Sequence, residues 1–245
     1  FKNLKILHYH IGSQIEKLSD VLGPVKYALD VYFKLKEKNP SLDTIDIGGG
    51  MPIPYTRNKS YPIDKLMERM FKLIKSESEK RGLPHPNLIC EWGRYIVAPA
   101  QITVFKIIDT KAIDNKKSPA KKWYVIDGSF MNDLLDTWAI GQKWAITPAN
   151  NKNDGDLNDV WLAGSSCDSD DIYTGVHGTV TLPDYDSASG DPMYVVVHDT
   201  GAYQDPLAAH HCMLSSPLKL IIENGHIVVA RKRESPDDVG KNFGW

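Results

Sequence analysis

Apolar and polar positions along the chain follow two different rhythms. In the first hundred residues, short apolar runs alternate with stripes at helical spacing. Leu4 to His10 reads as a strand; Val21, Val25, Leu29, Tyr32 and Phe33 then recur at helical intervals; Thr44 to Ile47 reads as a second strand. Ile63, Leu66, Met67, Met70 and Ile74 form the stripe of a second helix, with Pro62 suited to its first turn, and Asn87 to Cys90 is a third strand. Strands alternating with helices predict βαβ units and a parallel sheet. Three parallel strands alone leave long unpaired edges, which natural folds close or cover. The pattern therefore predicts the last βα units of a (β/α) barrel whose earlier strands lie elsewhere, rather than a small open layer.

From residue 101 the texture changes. Gln101–Ile108, Trp123–Ile126, Val160–Ala163, Thr179–Leu182, Met193–Val197, Leu218–Ile222 and Ile227–Ala230 are strand-like, and helical stripes are few. This predicts a mostly antiparallel β domain. The polar stretches 111–122, 149–159 and 184–191 read as loops. The expected organisation is residues 1–100 as barrel and 101–245 as β domain, without an internal repeat.

Composition narrows the function classes. The chain has 245 residues, 42% hydrophobic and 24% charged, which is ordinary globular usage. A net charge of −2 without a basic stripe argues against nucleic acid, and no apolar run approaches the roughly 18 residues a membrane span needs. Phe1-Lys2-Asn3-Leu4 leads straight into a strand-like run, so no signal peptide is expected. Cys90, Cys167 and Cys212 are too few for a disulfide scaffold; a reducing, cytoplasmic setting is expected.

Candidate chemistry lies at the strand ends, where parallel α/β folds place their ligands. The three ends carry His8-Tyr9-His10-Ile11-Gly12-Ser13-Gln14, Asp46-Ile47-Gly48-Gly49-Gly50 and Glu91-Trp92-Gly93-Arg94. Successive glycines can bring backbone N–H groups close to an anion, with Ser13 adding a hydroxyl and Arg94 a charged fork; together they suit a phosphate. A triple glycine alone is more often a tight turn, and His10 alone more often a packed, hydrogen-bonded histidine. Their recurrence at three successive strand ends is what points to one ligand. Glu91 could bind a metal, act as a base or face a protonated ring nitrogen. The rim shows no further carboxylates at clear ligand spacing, so no metal is expected. Nor does His210-His211-Cys212 suit a metal, because adjacent strand residues point to opposite faces. In the β region, Asp136 follows the knot Asp127-Gly128-Ser129, and Cys167 stands among Asp168, Asp170 and Asp171. Neighbouring acids favour a protonated thiol, which suits a proton donor better than a nucleophile.

These motifs, in this order, resemble the alanine-racemase-like (fold type III) pyridoxal-phosphate-dependent amino acid decarboxylases. The carriers are His-x-Gly-Ser-Gln, Asp-Ile-Gly-Gly-Gly, Glu-x-Gly-Arg, Cys-Asp-x-x-Asp and Gly-Ala-Tyr at residues 201–203. Leu7–Gln14, Gly82–Pro86, Asp136–Ile140, Cys167–Asp170 and Gly201–Gln204 look like the biosynthetic arginine decarboxylases, while the shorter carboxyl end looks more like the ornithine and diaminopimelate enzymes. The resemblance implies pyridoxal 5'-phosphate as cofactor. His10 would stack on its ring. Ser13, Gly48, Gly49, Gly50, Gly93, Arg94 and Tyr203 would hold its phosphate, and Glu91 would face its ring nitrogen. Cys167 would return the proton to the α-carbon, and Asp136, Asp168 and Asp170 would hold the distal cationic group of a basic amino acid, arginine above all. It also implies a homodimer with composite active sites.

Two positions depart from the family pattern. Trp92 stands where the family has Pro or Ser, and no lysine here has the strand-end context of the Schiff-base lysine. An additional amino-terminal segment carrying that lysine is therefore expected. The missing lysine would also suit a catalytically silent, antizyme-inhibitor-like relative, although the intact phosphate motifs, Glu91 and Cys167 argue against it. An amino acid racemase on the same barrel is disfavoured by the Glu91 and Cys167 pair.

Overall fold

The computed structural model describes residues 3–56, 60–150 and 156–245. The chain divides into two compact units, residues 1–98 and 99–245.

The first unit alternates β1 (Ile6–His8), α1 (Leu18–Lys36), β2 (Thr44–Asp46), α2 (Ile63–Arg81), β3 (Asn87–Ile89) and the short α3 (Gly93–Val97). The three strands are parallel, in spatial order β1-β2-β3. Every residue of β2 is buried, while β1 and β3 only half-bury their central position. Such an arc, central strand sealed and edges open, is the geometry of a piece of a (β/α) barrel. The helical stripe read from the sequence forms its core: Val25, Leu29, Tyr32, Phe33, Met70 and Ile74 pack with Leu42, Ile45 and Ile47. Arg81 clamps α2 to α1, bonding Asp30 at 3.1 Å and lying over the Phe33 ring at 5.0 Å. Asp20 in the first turn of α1 and Lys34 and Lys36 in its last turn complement the helix dipole. Gly82, at φ 62°, supplies the left-handed residue that ends α2. Pro62 stands one residue before α2, as its N-cap, rather than within the first turn.

The second unit is built on β4 (Thr103–Ala112), β5 (Lys122–Ile126), α4 (Asp136–Ile140), β6 (Ile146–Pro148), β7 (Leu157–Ala163), β8 (Ile172–Tyr173), β9 (Val180–Pro183) and β10 (Tyr194–Val197). Its main sheet runs β6-β10-β4-β5-β7-β8, with β9 also pairing β7. All pairs are antiparallel except β5–β7. A separate hairpin, β11 (Lys219–Glu223) and β12 (His226–Arg231), precedes α5 (Pro236–Asn242). Ser235 and Asp238 form a reciprocal capping box at the start of α5.

Three of the expected loops contain regular structure. β4 continues through the polar residues 109–112, pairing with β5. β7 begins at Leu157, inside the expected loop 149–159, of which residues 151–155 lie outside the described residues. A single 3-10 turn occupies Ser187–Ser189. The segment at His210 is not a strand: His210 precedes a 3-10 turn at His211–Met213, so the opposite-face argument against a shared site fails there.

Candidate active site

In the first unit, the β1 and β2 ends meet through the glycines. The Gly49 amide donates to Nδ1 of His10 at 3.0 Å, which leaves the ring proton on Nε2. The Gly48 amide donates to the Asp46 carboxylate at 2.9 Å. Two of the three N–H groups expected to face an anion are therefore engaged within the protein. Among the described residues the Gly50 amide has no protein acceptor and is the one left for a ligand. The other two glycines matter by lacking a side chain. A Cβ on Gly48 would meet the Tyr9 carbonyl at 2.3 Å, at φ +65°; one on Gly49 would meet the Glu91 carbonyl at 2.9 Å and the His10 ring at 3.0 Å. Gly49 thus allows all three strand ends to converge.

The Glu91 backbone is fixed by donation of its N–H to the Gly48 carbonyl at 2.9 Å, and its side chain stays half exposed. Its carboxylate lies 3.5 Å from Nε2 of His8, a residue the motif reading passed over. Ligand atoms of His8, Asp46 and Glu91 all lie within 4.8 Å of one another. The expectation of no second carboxylate near Glu91 is corrected by the topology. β1, β2 and β3 are neighbours in parallel register, with His8 opposite Asp46 and Asp46 opposite Ile89, so residues far apart in sequence share one rim. Asp46 is nevertheless buried and engaged with the Gly48 amide.

Arg94, in α3, donates to the Tyr55 hydroxyl at 2.8 Å, with its guanidinium 5.8 Å from that ring. Tyr55 lies in the loop that follows the glycines. Gln14 holds the same loop: its amide donates to the Ile53 carbonyl at 3.0 Å and accepts from the Ile53 N–H at 2.8 Å. Gly93 donates to the Glu91 carbonyl at 2.9 Å and opens α3, and Ser13 is exposed beside Gln14. Imidazole ring, carboxylate, free amide, hydroxyl and guanidinium are together the donor set that a phosphorylated, protonated aromatic ring requires, and the glycine packing keeps them on one rim. The residues present fit pyridoxal phosphate.

In the second unit, the acid run after β7 divides into different roles. Asp171 is buried and accepts from the Phe130 amide at 2.7 Å and the Ser166 amide at 3.2 Å. A Cβ on Gly164 would fall 2.2 Å from that carboxylate, which explains the glycine. Asp168 accepts from the Asp170 amide and from Nε2 of His211, each at 2.9 Å. These bonds hold its carboxyl below the ordinary aspartate range. The Cys167 and Cys212 sulfurs lie 3.5 Å apart. Asp170 is exposed, its backbone carbonyl accepting from Ile172.

Asp136 is not presented as a free carboxylate. It is buried at the start of α4, where it accepts from the Gln204 side-chain amide at 2.9 Å while its own N–H donates back at 3.2 Å. Its burial and its bonds to Gln204 tie it to the Gly201–Gln204 turn. Tyr203 on that turn is half exposed and adopts φ +70°. Asp133, three residues before Asp136 in the turn that precedes α4, carries no motif in the sequence. It accepts from the Ser129 amide at 2.9 Å, and burial raises its carboxyl to about 6 despite that bond.

The chain belongs to the pyridoxal-dependent decarboxylases. The model of the pyridoxal-dependent decarboxylase C-terminal sheet domain matches residues 60–201, and that of the pyridoxal binding domain residues 2–98. Diaminopimelate decarboxylase of Mycobacterium tuberculosis is 30% identical over 241 residues, covering 95% of this chain and 52% of the relative. A biosynthetic arginine decarboxylase of Bacteroides thetaiotaomicron is 26% identical over 159 residues, covering 57% of this chain and 25% of the relative. The solved structure of the biosynthetic arginine decarboxylase SpeA from Campylobacter jejuni superposes with a TM-score of 0.86 at 17% identity, covering 98% of this chain and 55% of that one. The fold is accordingly that of fold type III decarboxylases, a partial (β/α) barrel followed by a β domain, and the chain spans about half the length of the curated relatives it matches. Among the described residues no helix is long and apolar enough to cross a membrane.

Proposed function

We propose that this chain is part of an enzyme that decarboxylates a basic L-amino acid with pyridoxal 5'-phosphate. The observation that carries the reading is the convergence of His10, Gly49 and Glu91, with the Gly49 amide bonded to His10 and its α-carbon packed against the Glu91 backbone. When bound, the cofactor supplies a protonated aromatic ring that accepts the electron pair left by departing carbon dioxide. His10, its proton fixed on Nε2 by Gly49, presents a flat face to that ring. Glu91, steadied near His8, holds the proton on the ring nitrogen. The Gly50 amide, Ser13 and Arg94 would bind the phosphate, with Gly93, its N–H held by the Glu91 carbonyl, opening α3 beside them. Cys167 delivers the proton to the α-carbon. In a homodimer with composite sites, Cys167 and Asp168 serve the partner's barrel.

The substrate carries a second, distal nitrogen. Relatives named as diaminopimelate decarboxylases align over nearly the whole chain, which favours a diamino acid. Arginine is the second reading, favoured by the exposed Asp170 carboxylate next to Asp168, since a planar guanidinium suits paired acids. The deciding experiment measures carbon dioxide release by the full-length protein from meso-diaminopimelate, arginine, ornithine and lysine, each with and without added pyridoxal phosphate. Cofactor-dependent release from one of them is expected. Cofactor retained with no release from any would favour the silent relative. Gly49→Ala should lower cofactor affinity at least tenfold by ring fluorescence, because the added Cβ separates His10 from Glu91.

A further inference from the structure

Cys167 and Cys212 are 45 residues apart in sequence, yet their sulfurs are in contact at 3.5 Å on the exposed surface of the second unit. The approach is not accidental to two wandering side chains, because both backbones are fixed beside it. On one side, the buried Asp171 carboxylate holds the Ser166 and Phe130 amides. On the other, Asn132 grips His211 twice, donating to its carbonyl and accepting from its amide, each at 2.9 Å. The residues next to the two thiols, Asp168 and His211, bond each other at 2.9 Å, so the same two segments are clasped at adjacent positions. Cys212 and Met213 both adopt left-handed backbone, at φ +54° and +61°, a conformation costly for side-chain-bearing residues and the one that turns the Cys212 sulfur toward Cys167. Cys90, in the first unit, has no such neighbour among the described cysteines.

We propose that Cys167 and Cys212 form a dithiol modification site that reacts reversibly with low-molecular-weight disulfides of the glutathione type. One cysteine thiolate attacks the small disulfide, forming a mixed disulfide and expelling one small thiolate. The second cysteine gives up its proton and attacks the protein-bound sulfur, expelling the other. Two protein thiols are oxidised, one small disulfide is reduced to two thiols, and the two protons end on those thiols. Bond formation draws the sulfurs from 3.5 Å to the bonded distance of about 2.05 Å. The product removes the Cys167 proton. That consequence for turnover rests on the proton-donor reading above; the disulfide chemistry does not.

The test equilibrates the reduced protein in glutathione buffers of increasing oxidised fraction, quenches in acid, alkylates free thiols and maps peptides by mass spectrometry. A Cys167–Cys212 cross-linked peptide that disappears on reduction, with Cys90 alkylated throughout, is expected. Two alkylated thiols, or two separately glutathionylated ones, under oxidising conditions would overturn the proposal. Cys212→Ser, at an exposed position that tolerates the swap, should yield only the mixed disulfide at Cys167; a cross-link persisting in that variant would also overturn it. In the full-length enzyme, oxidation should cut turnover about a hundredfold in the native sequence and leave Cys212→Ser far less affected. Turnover of Cys167→Ala in reducing buffer tests the donor role separately. A cross-link combined with unchanged Cys167→Ala turnover supports the dithiol and removes the donor; no cross-link combined with lost turnover does the reverse.

Discussion

At the scale of single residues, the acids of the second unit show how differently one side chain type is used. Asp168 keeps its charge because an amide and an imidazole surround it; Asp171 is sealed as a loop pin; Asp133 is partly buried, with a backbone donor from Ser129. Burial raises the Asp133 carboxyl to about 6, aided by the nearby Asp171 charge. A carboxyl whose folded value exceeds its unfolded value near 4 binds protons more tightly in the native state. Its stabilising contribution is complete below about pH 4 and fades as pH rises through about 6. Asp133→Asn should therefore flatten the stability profile between those values and gain on the order of 1 kcal/mol at pH 7.5. Chemical denaturation of both proteins across that window checks the sign; a parallel offset at all pH values would show that Asp133 does not titrate there. No sequence pattern marks Asp133 apart from its neighbours, because its singular property is depth, which periodicity in a loop does not encode. The strand-end motifs were legible for the opposite reason: glycine repeats and isolated charges stand out against apolar strands. What the motifs did not reveal was which amides remain free, since that depends on His10 and Asp46 reaching back to Gly49 and Gly48.

At the scale of elements, the apolar stripes of α1 and α2 and the short strands of the first unit were readable because each buries one continuous face. The β domain was harder. β6 holds only three residues and ends in Pro148, so it is too short to stand out as a strand and is held by its pairing with β10. The far end of β4 is polar and mostly exposed, and is held in the sheet by β5 rather than by burial. Pairing partners of this kind are invisible in a local window. The β11–β12 hairpin presents an analogous case. Leu220, Ile221, Ile222, Ile227, Val228 and Val229 are exposed, so little apolar burial holds it. Its attachment is electrostatic: Asp205 bonds Lys219 of β11 at 2.6 Å and Arg231 of β12 at 3.0 Å. Burial alone would raise the Asp205 carboxyl, but the two cations outweigh it and hold the group low. A lowered carboxyl stabilises above its unfolded value and loses that effect as pH falls below it. Asp205→Asn should speed amide exchange in β11 and β12 on the order of tenfold at neutral pH, with little change in β4 or β5. Unaltered exchange in the hairpin would show that Asp205 does not anchor it.

At the scale of the whole molecule, two sets of buried apolar residues of different origin coexist in one chain. The first gathers helix faces over a three-stranded parallel arc, with Leu29, Tyr32, Phe33, Leu42 and Ile45 almost wholly buried. The second gathers strand faces, with Tyr124, Ile126, Phe130, Val160, Leu162 and Val195 equally inaccessible. The residues named in the first group lie in the first compact unit and those in the second group in the second, and compact units of this kind are where local stabilities can separate. Leu29→Ala removes a fully buried side chain and should cost the first unit about 2–5 kcal/mol through lost burial and the cavity left behind. Hydrogen exchange resolves where that loss falls. Amides of β1, β2 and the two long helices should exchange faster by a factor matching the destabilisation, while those of β4, β5, β7 and β10 keep their native rates. The reciprocal change, Leu162→Ala in β7, should reverse the pattern. If either variant accelerates exchange equally across all strands, the two centres unfold as one cooperative body, and the separation of a cofactor-holding unit from a sheet unit would describe the architecture without describing its energetics.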